Sequence, residues 1–181
     1  MPDHLAVFPG SFDPISFGHL DVIRRGRRLF DEIVVAVGHH PGKDALFTID
    51  ERVEMATILS KEMVAEGKGA PVTVRPFTGL TMEFARQLNA STLLRGVRNL
   101  SDLQYEVQSA VTNREVAGME TVFIVAGQSF AYTSSSLIKQ ITAMGTDMNL
   151  LRTMVPPLVI ERLAEKKAEK HPALERLKAK G

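Results

Sequence analysis

The sequence contains no cysteine. Without cysteine the chain can form neither a disulfide framework nor a thiolate zinc site, and it cannot use a cysteine nucleophile. The absence also fits a reducing cytoplasm, where we expect the protein to reside. Any thiol that takes part in its chemistry must therefore belong to a ligand.

The chain also lacks a charge excess and a long apolar run. Its 22 basic and 21 acidic residues leave a net charge of +1, so composition predicts neither a nucleic-acid nor a membrane partner. Residues 1–10 lack the charged and apolar regions of a signal peptide, and no apolar run approaches the roughly 18 residues of a membrane span. We expect a soluble protein in which any basic site is local.

What the sequence does contain is an alternation of short apolar runs and helical periodicity. This pattern predicts an α/β fold: a Rossmann-like, doubly wound, five-stranded parallel sheet with helices on both faces. Thr48 and Glu51 form a capping box at the start of one helix. Strands are predicted at 5–8, 33–37, 72–74, 92–94 and 122–125, and helices at about 20–30, 49–59, 82–88, 102–116 and 135–143.

With 181 residues, of which 44% are hydrophobic, the chain is predicted to form one domain over residues 1–165. Near residue 161 the composition shifts to Glu, Lys, Arg and Ala. We interpret residues 166–181 as a charged C-terminal helical tail, solvated and interrupted near Pro172. Because we count few large apolar side chains there, we expect deletion of the tail to leave the kinetics nearly unchanged.

The segment after the first strand has the form of a phosphate cradle. Residues 9–19 read PGSFDPISFGH, so a strand, a tight turn and a helix N-terminus follow one another. Free backbone N–H groups and the helix dipole favour an anion there. His19 in the first helical turn can donate a hydrogen bond to a phosphoryl oxygen. Residues 38–44 only imitate a P-loop, since they are one residue short and carry Asp44 where Ser or Thr must meet magnesium.

Basic and hydroxyl side chains follow the other strands, and in a doubly wound sheet the carboxyl ends of the strands meet at one edge. Each also has a plainer interpretation: Lys43 as a loop lysine, the arginines as partners of acidic side chains, and the serines as a helix cap. Adjacent His39 and His40 rarely chelate one ion, so we predict no protein metal site. The candidates at this edge are Lys43, Arg95, Arg98, Ser134, Ser135 and Ser136, with Asp102 and Glu106 as the possible acidic partners.

Together these motifs resemble the bacterial phosphopantetheine adenylyltransferases, over about residues 6–160. Besides residues 10–19, the resemblance rests on Lys43 with FTIDER at 47–52, FAR at 84–86, LRGVR at 94–98, Asp102 with Tyr105 and Glu106, Asn113 with Arg114, and SSSL at 134–137. The resemblance implies adenylyl transfer from ATP to 4′-phosphopantetheine, with Mg²⁺ accompanying ATP. It further implies a homohexamer, and feedback binding of coenzyme A is a possibility that the sequence leaves open.

The resemblance also implies residue roles. His19, Lys43 and Arg95 would be catalytic, and Ser11, Lys43, Thr81, Arg95 and Asn113 would contact phosphopantetheine. ATP would be bound by Ser11, Phe12, His19, Gly96, Val97, Arg98, Glu106, Phe130, Ala131, Tyr132, Thr133, Ser134, Ser135 and Ser136.

Two departures and two alternatives accompany this prediction. Thr81 stands where relatives often have a larger apolar residue, and Ser16 where close relatives have Thr. A nucleotidylyltransferase for nicotinate mononucleotide or glycerol phosphate is one alternative, although such enzymes typically carry an arginine in the serine-rich segment. A non-catalytic nucleotide sensor on the same fold is the other.

Overall fold

The computed structural model describes residues 4–39 and 44–179. Its sheet has five parallel strands in the order β3-β2-β1-β4-β5. The strands are β1 (Leu5–Gly10), β2 (Glu32–Gly38), β3 (Val72–Phe77), β4 (Thr92–Val97) and β5 (Glu120–Val125). All five predicted strands are therefore confirmed, and the order reverses direction at β1, between β2 and β4.

Within residues 4–39 and 44–179, seven α-helices connect and follow these strands. They are α1 (Phe17–Gly26), α2 (Ile49–Ala65), α3 (Thr81–Gln87), α4 (Leu100–Ala117), α5 (Ser135–Met144), α6 (Pro157–Ala168) and α7 (Pro172–Lys178). In the parts of the chain that the structure describes, no helix combines the length and the apolar character needed to cross a membrane.

Helices cover both faces of the sheet, as predicted. Alternate residues of each strand point to opposite faces, so Val35 packs with one apolar cluster and Val34 with another. The first cluster holds residues of α1, α2, α5, α6 and α7, and the second holds Ala85 of α3 and, at its edge, Ala117 of α4. Because both faces of the central strands are buried, the polar loops lie at the edge formed by the carboxyl ends of the strands.

Two features of the first two helices are local consequences of sequence. The capping box of α2 is confirmed, since the Thr48 N–H donates to Glu51 and the Glu51 N–H donates to Thr48 Oγ1. Helix α1 is shorter than its periodicity predicted and ends at Gly26. There a Cβ would approach Leu94 Cδ2 to 2.8 Å. Arg27 is the first residue after the helix, and its buried guanidinium donates to the carbonyls of Met63, Gly67 and Ala70.

The interpretation of the C-terminal segment as a solvated appendage is wrong. Helix α6 continues past residue 165, and α7 packs against α5. Leu174 is 1% exposed within the main apolar cluster, and Leu177 packs at its edge. Lys166 forms an ion pair with Glu51 at 2.7 Å. Few apolar side chains suffice because Leu174 and Leu177, three residues apart, lie on one face of α7.

Candidate active site

A cavity of about 490 Å³ opens at the carboxyl ends of β1 and β4, between the N-termini of α1 and α5. This is the edge at which open α/β sheets bind ligands. The structure brings together there most of the residues that the sequence pointed to: Ser11, Phe12, His19, Arg95, Gly96, Arg98, Glu106, Thr133, Ser134, Ser135 and Ser136.

Other candidates lie elsewhere. Thr81 and Asn113 line an adjacent cavity of about 230 Å³, which shares Pro9, Arg95, Tyr105 and Glu106 with the first. Lys43 and His40 fall outside the described residues. Four further candidates, Val97, Phe130, Ala131 and Tyr132, do not line the main cavity. The roles of all these residues stay predictions.

The turn after β1 is held by Phe12 folding back under Gly10. Phe12 has a φ of 48° and a side chain that is 1% exposed. A Cβ at Gly10 would lie 2.9 Å from Phe12 Cζ, so the ring needs a glycine above it. Since the Phe12 ring belongs to the core, its backbone is the part that can meet a ligand.

His19 is held in one tautomer. The Ser16 N–H donates to His19 Nδ1 at 3.0 Å, and the Ser16 hydroxyl lies 3.0 Å from the same nitrogen. In the neutral ring Nδ1 is therefore the acceptor, and the proton sits on Nε2. Burial, followed by the positive charges of Arg98 and Arg95, lowers the pKa of His19 to about 4. At neutral pH the imidazole is an uncharged N–H donor.

Both arginines pair with carboxylates of α4. Arg95 binds Glu106 with two nitrogens and donates to the Pro9 carbonyl at 2.8 Å. Arg98 binds Asp102 at 2.7 and 3.2 Å and donates to the Thr133 carbonyl at 3.0 Å. The plainer interpretation of these arginines is thus correct for this structure, and it fixes the plane of each guanidinium. Each retains further N–H groups at the cavity wall.

Two of the three serines at 134–136 have different structural contacts: one caps α5, and the other forms a hydrogen bond to the turn after β1. Ser134 caps α5 by accepting the Leu137 N–H at 3.1 Å, whereas the Ser135 hydroxyl donates to the Pro14 carbonyl at 2.9 Å. The cap interpretation of Ser134 is therefore confirmed. The N-terminus of α5 still presents its first backbone N–H groups to the cavity, where they favour an anion.

Comparison with known proteins identifies the family. A cytidylyltransferase-like family model matches residues 7–141. The chain is 44% identical to the phosphopantetheine adenylyltransferase of Desulfosudis oleivorans, over 90% of this chain and 92% of the relative. It is 43% identical to that of Geobacter metallireducens, over 92% and 97%. The chain belongs to the phosphopantetheine adenylyltransferase family.

Solved structures of more distant proteins agree in fold. A nicotinic acid mononucleotide adenylyltransferase of Plasmodium falciparum complexed with NaAD superposes with a TM-score of 0.66 at 17% identity, covering 90% of this chain and 95% of the other. A putative nicotinate-nucleotide adenylyltransferase from Vibrio parahaemolyticus gives 0.60 at 18%, covering 96% and 95%. At this identity the likeness supports the architecture alone.

Sequence reasoning missed three residues that shape this adenylyltransferase-family site. Asp13 stands in the predicted turn, and in the structure its carboxylate accepts the N–H groups of Leu46 and Phe47. Arg52 ends the FTIDER motif, and in the structure it donates to the carbonyls of Ser11, Gly38 and Phe47. Lys139 went unnoticed, although its position four residues after Ser135 places both on one face of α5.

Proposed function

We propose that this chain catalyses the reversible transfer of the adenylyl group of ATP to 4′-phosphopantetheine. The products are dephospho-coenzyme A and pyrophosphate, and the reaction serves coenzyme A biosynthesis in the cytoplasm. One observation carries the proposal: His19, Arg95, Arg98 and the N-terminus of α5 surround a single cavity that adjoins a second, smaller one.

The reaction needs no protein nucleophile. A phosphate monoester can attack the α-phosphorus of ATP directly and in line, so the protein has to align two polyanions and stabilise the charge that develops. Neutral His19 suits the α-phosphate, because its Nε2–H can donate without a proton change. Arg98 and the N-terminus of α5 suit the leaving pyrophosphate, while Arg95 and Lys43 suit the acceptor phosphate.

The adjacent cavity suits the pantetheine arm. It is lined by Thr81, Asn113 and Thr121 as well as by apolar Leu93. The buried Thr121 hydroxyl finds no hydrogen-bond partner among the described residues. A chain with amide groups would supply such a partner, and buried polar groups normally have one. Arg95 and Glu106 line both cavities, and this supports a position for the acceptor phosphate at their junction.

Magnesium is proposed to arrive with ATP. No group of three or more His, Asp and Glu side chains that could hold a metal occurs in residues 4–39 and 44–179. Asp102 and Glu106, the carboxylates of the cavity, are both bound by arginines. An ion held mainly by phosphate oxygens and water fits these surroundings, and it would neutralise phosphate charge.

Assembly and feedback complete the proposal. No residue of helix α4 is fully buried, and its exposed apolar residues include Leu100, Tyr105 and Val111. This surface supports association of copies, for which we propose the homohexamer implied by resemblance. Coenzyme A contains both the adenylyl and the pantetheine parts of the product, so we propose that it competes for the same two cavities.

The decisive experiment uses purified protein with ATP and Mg²⁺ and measures pyrophosphate release with a panel of acceptors. Phosphopantetheine should react far faster than nicotinate mononucleotide or glycerol phosphate. Comparable turnover with either alternative would overturn the acceptor assignment. Nucleotide binding without pyrophosphate release from any acceptor would favour a sensor on the same fold.

A further inference from the structure

Three segments that bear predicted phosphate ligands meet at one carboxylate. They are the cradle turn at 11–14, the segment at 44–47 that directly follows Lys43, and the N-terminal half of α5. Asp13 of the turn accepts the Phe47 N–H at 2.9 Å and the Leu46 N–H at 3.0 Å. Lys139 of α5 donates to the same carboxylate at 2.8 Å.

The carboxylate is fully committed to these contacts. Asp13 is 4% exposed, and its three donors leave it unsuited to act as a base or to hold a metal. The side chain of Lys139 is 21% exposed. Charge-assisted hydrogen bonds of this kind are short and strong, so the contacts fix the geometry of the segments that make them.

Helix α5 is attached to two successive residues of the cradle turn, Asp13 and Pro14. Ser135 donates to the Pro14 carbonyl and Lys139 binds Asp13, and these two residues are one helical turn apart. Both attachments therefore restrain the rotation of α5 about its axis. That rotation decides where the backbone N–H groups and hydroxyls at the start of the helix point.

The ion pair also lies beside the cavity in which we propose that the triphosphate binds. Asp13 and Lys139 line a cavity of about 260 Å³ that shares Ser11, Ser135 and Ser136 with the main cavity. With Lys139 in place the carboxylate is neutralised. Without it, a buried negative charge would face bound phosphates in a medium where Coulomb interactions are poorly screened.

We propose that Asp13 and Lys139 are positioning residues for adenylyl transfer. The pair holds α5 and the segment after Lys43 in register with the cradle, and Lys139 cancels a carboxylate charge that would repel the triphosphate. The inference rests on the proposed function for its kinetic consequences, but its effect on nucleotide and pyrophosphate binding can be measured whichever acceptor the enzyme uses.

The test compares Lys139→Met, Asp13→Asn, the double variant and Lys139→Arg. Lys178→Met is the matched control, since Lys178 forms an exposed ion pair with Glu175 at 2.6 Å and lies far from Asp13 in the chain. Circular dichroism checks folding. Calorimetry with ATP·Mg²⁺ and with pyrophosphate then gives dissociation constants, and steady-state assays give kcat and KM for each substrate.

Lys139→Met should weaken binding of ATP·Mg²⁺ and pyrophosphate by about tenfold or more, a change of about 1.4 kcal/mol. The double variant should bind them at least threefold more tightly than Lys139→Met, because the unpaired charge is gone. Lys139→Arg should recover most of the loss, and Lys178→Met should match the wild type.

Two results would overturn the proposal. One is a folded Lys139→Met protein with both dissociation constants within threefold of wild type. The other is a double variant that binds no better than Lys139→Met, since a merely structural pair would not regain nucleotide affinity when its second charge is removed. If Lys139→Met does not fold, Lys139→Arg decides: a folded Lys139→Arg protein that binds ATP·Mg²⁺ and pyrophosphate tenfold more weakly than wild type would overturn the proposal, because arginine keeps the charge that neutralises Asp13.

Discussion

The cradle region at residues 5–19 and the C-terminal region at residues 157–178 use charged and polar groups in opposite ways. His19 and Ser11 of the cradle line the cavity at the sheet edge. The basic side chains of the C-terminal helices instead form ion pairs with α2, Lys166 with Glu51 and Arg162 with Glu54. The difference teaches that a polar side chain indicates a ligand site where the fold leaves one of its donor groups facing a cavity, as it does for His19, and that charge alone is no such indication.

The largest expected effect tests the cradle. Replacing His19 with Ala should lower kcat by roughly 10²–10³, the usual loss when one donor to a developing charge is removed. The measurement is steady-state pyrophosphate release by a variant shown to be folded. His4→Ala is the control, since His4 is exposed and outside both cavities. Near-normal turnover of folded His19→Ala would refute the role assigned to the imidazole.

The next effect tests the C-terminal region and concerns stability. Leu174→Ala should cost about 2–4 kcal/mol of unfolding free energy, because truncating a fully buried leucine loses contacts and leaves a cavity. Leu150→Ala, at a leucine that is 61% exposed, should stay within about 0.5 kcal/mol. Urea unfolding measures both. Equal small effects would mean that α7 is indeed a loosely attached tail.

The unequal success of prediction in these two regions has a physical cause. The cradle could be predicted because its chemistry demands particular residues at fixed spacing, so Gly10, Gly18 and His19 identify it locally. The docking of α7 depends on two leucines, Leu174 and Leu177, in a segment that is otherwise mostly charged. The helix α5 on which they pack is distant in sequence. The contacts of Asp13 with Lys139 and of Arg52 with Ser11 could not be predicted for the same reason. Each joins residues far apart in sequence, and local spacing does not indicate which distant segments meet.

The third prediction concerns pH and uses the lowered pKa of His19. The folded protein keeps His19 neutral down to about pH 4, whereas the unfolded chain takes up that proton near pH 6.5. Between these values the unfolded state binds more protons, so unfolding free energy should fall as pH is lowered from about 6.5 to about 4. Urea unfolding at several pH values should show a smaller fall in a folded His19→Ala protein. Identical slopes would contradict the burial of a neutral ring.

The smallest effect is expected at an ion pair between the C-terminal region and the segment that follows Lys43. Arg176 forms an ion pair at 2.8 Å with Asp44, the residue directly after Lys43, and the two side chains are 52% and 74% exposed. Exposed pairs contribute about 0–1 kcal/mol because water and salt screen them. Arg176→Gln should therefore change the unfolding free energy by less than about 1 kcal/mol.

The same substitution should also leave kinetics almost untouched. Since the docking of α7 depends on buried Leu174 rather than on Arg176, we expect kcat and both KM values of Arg176→Gln to stay within about twofold, a change of roughly 0.4 kcal/mol. Raising the salt concentration should not alter the ratio of variant to wild-type kcat or KM, because water already screens most of the attraction between the two exposed side chains. A several-fold rise in the acceptor KM at unchanged stability would show that the C-terminal region controls the segment carrying Lys43, and the contrast between the two regions would no longer hold.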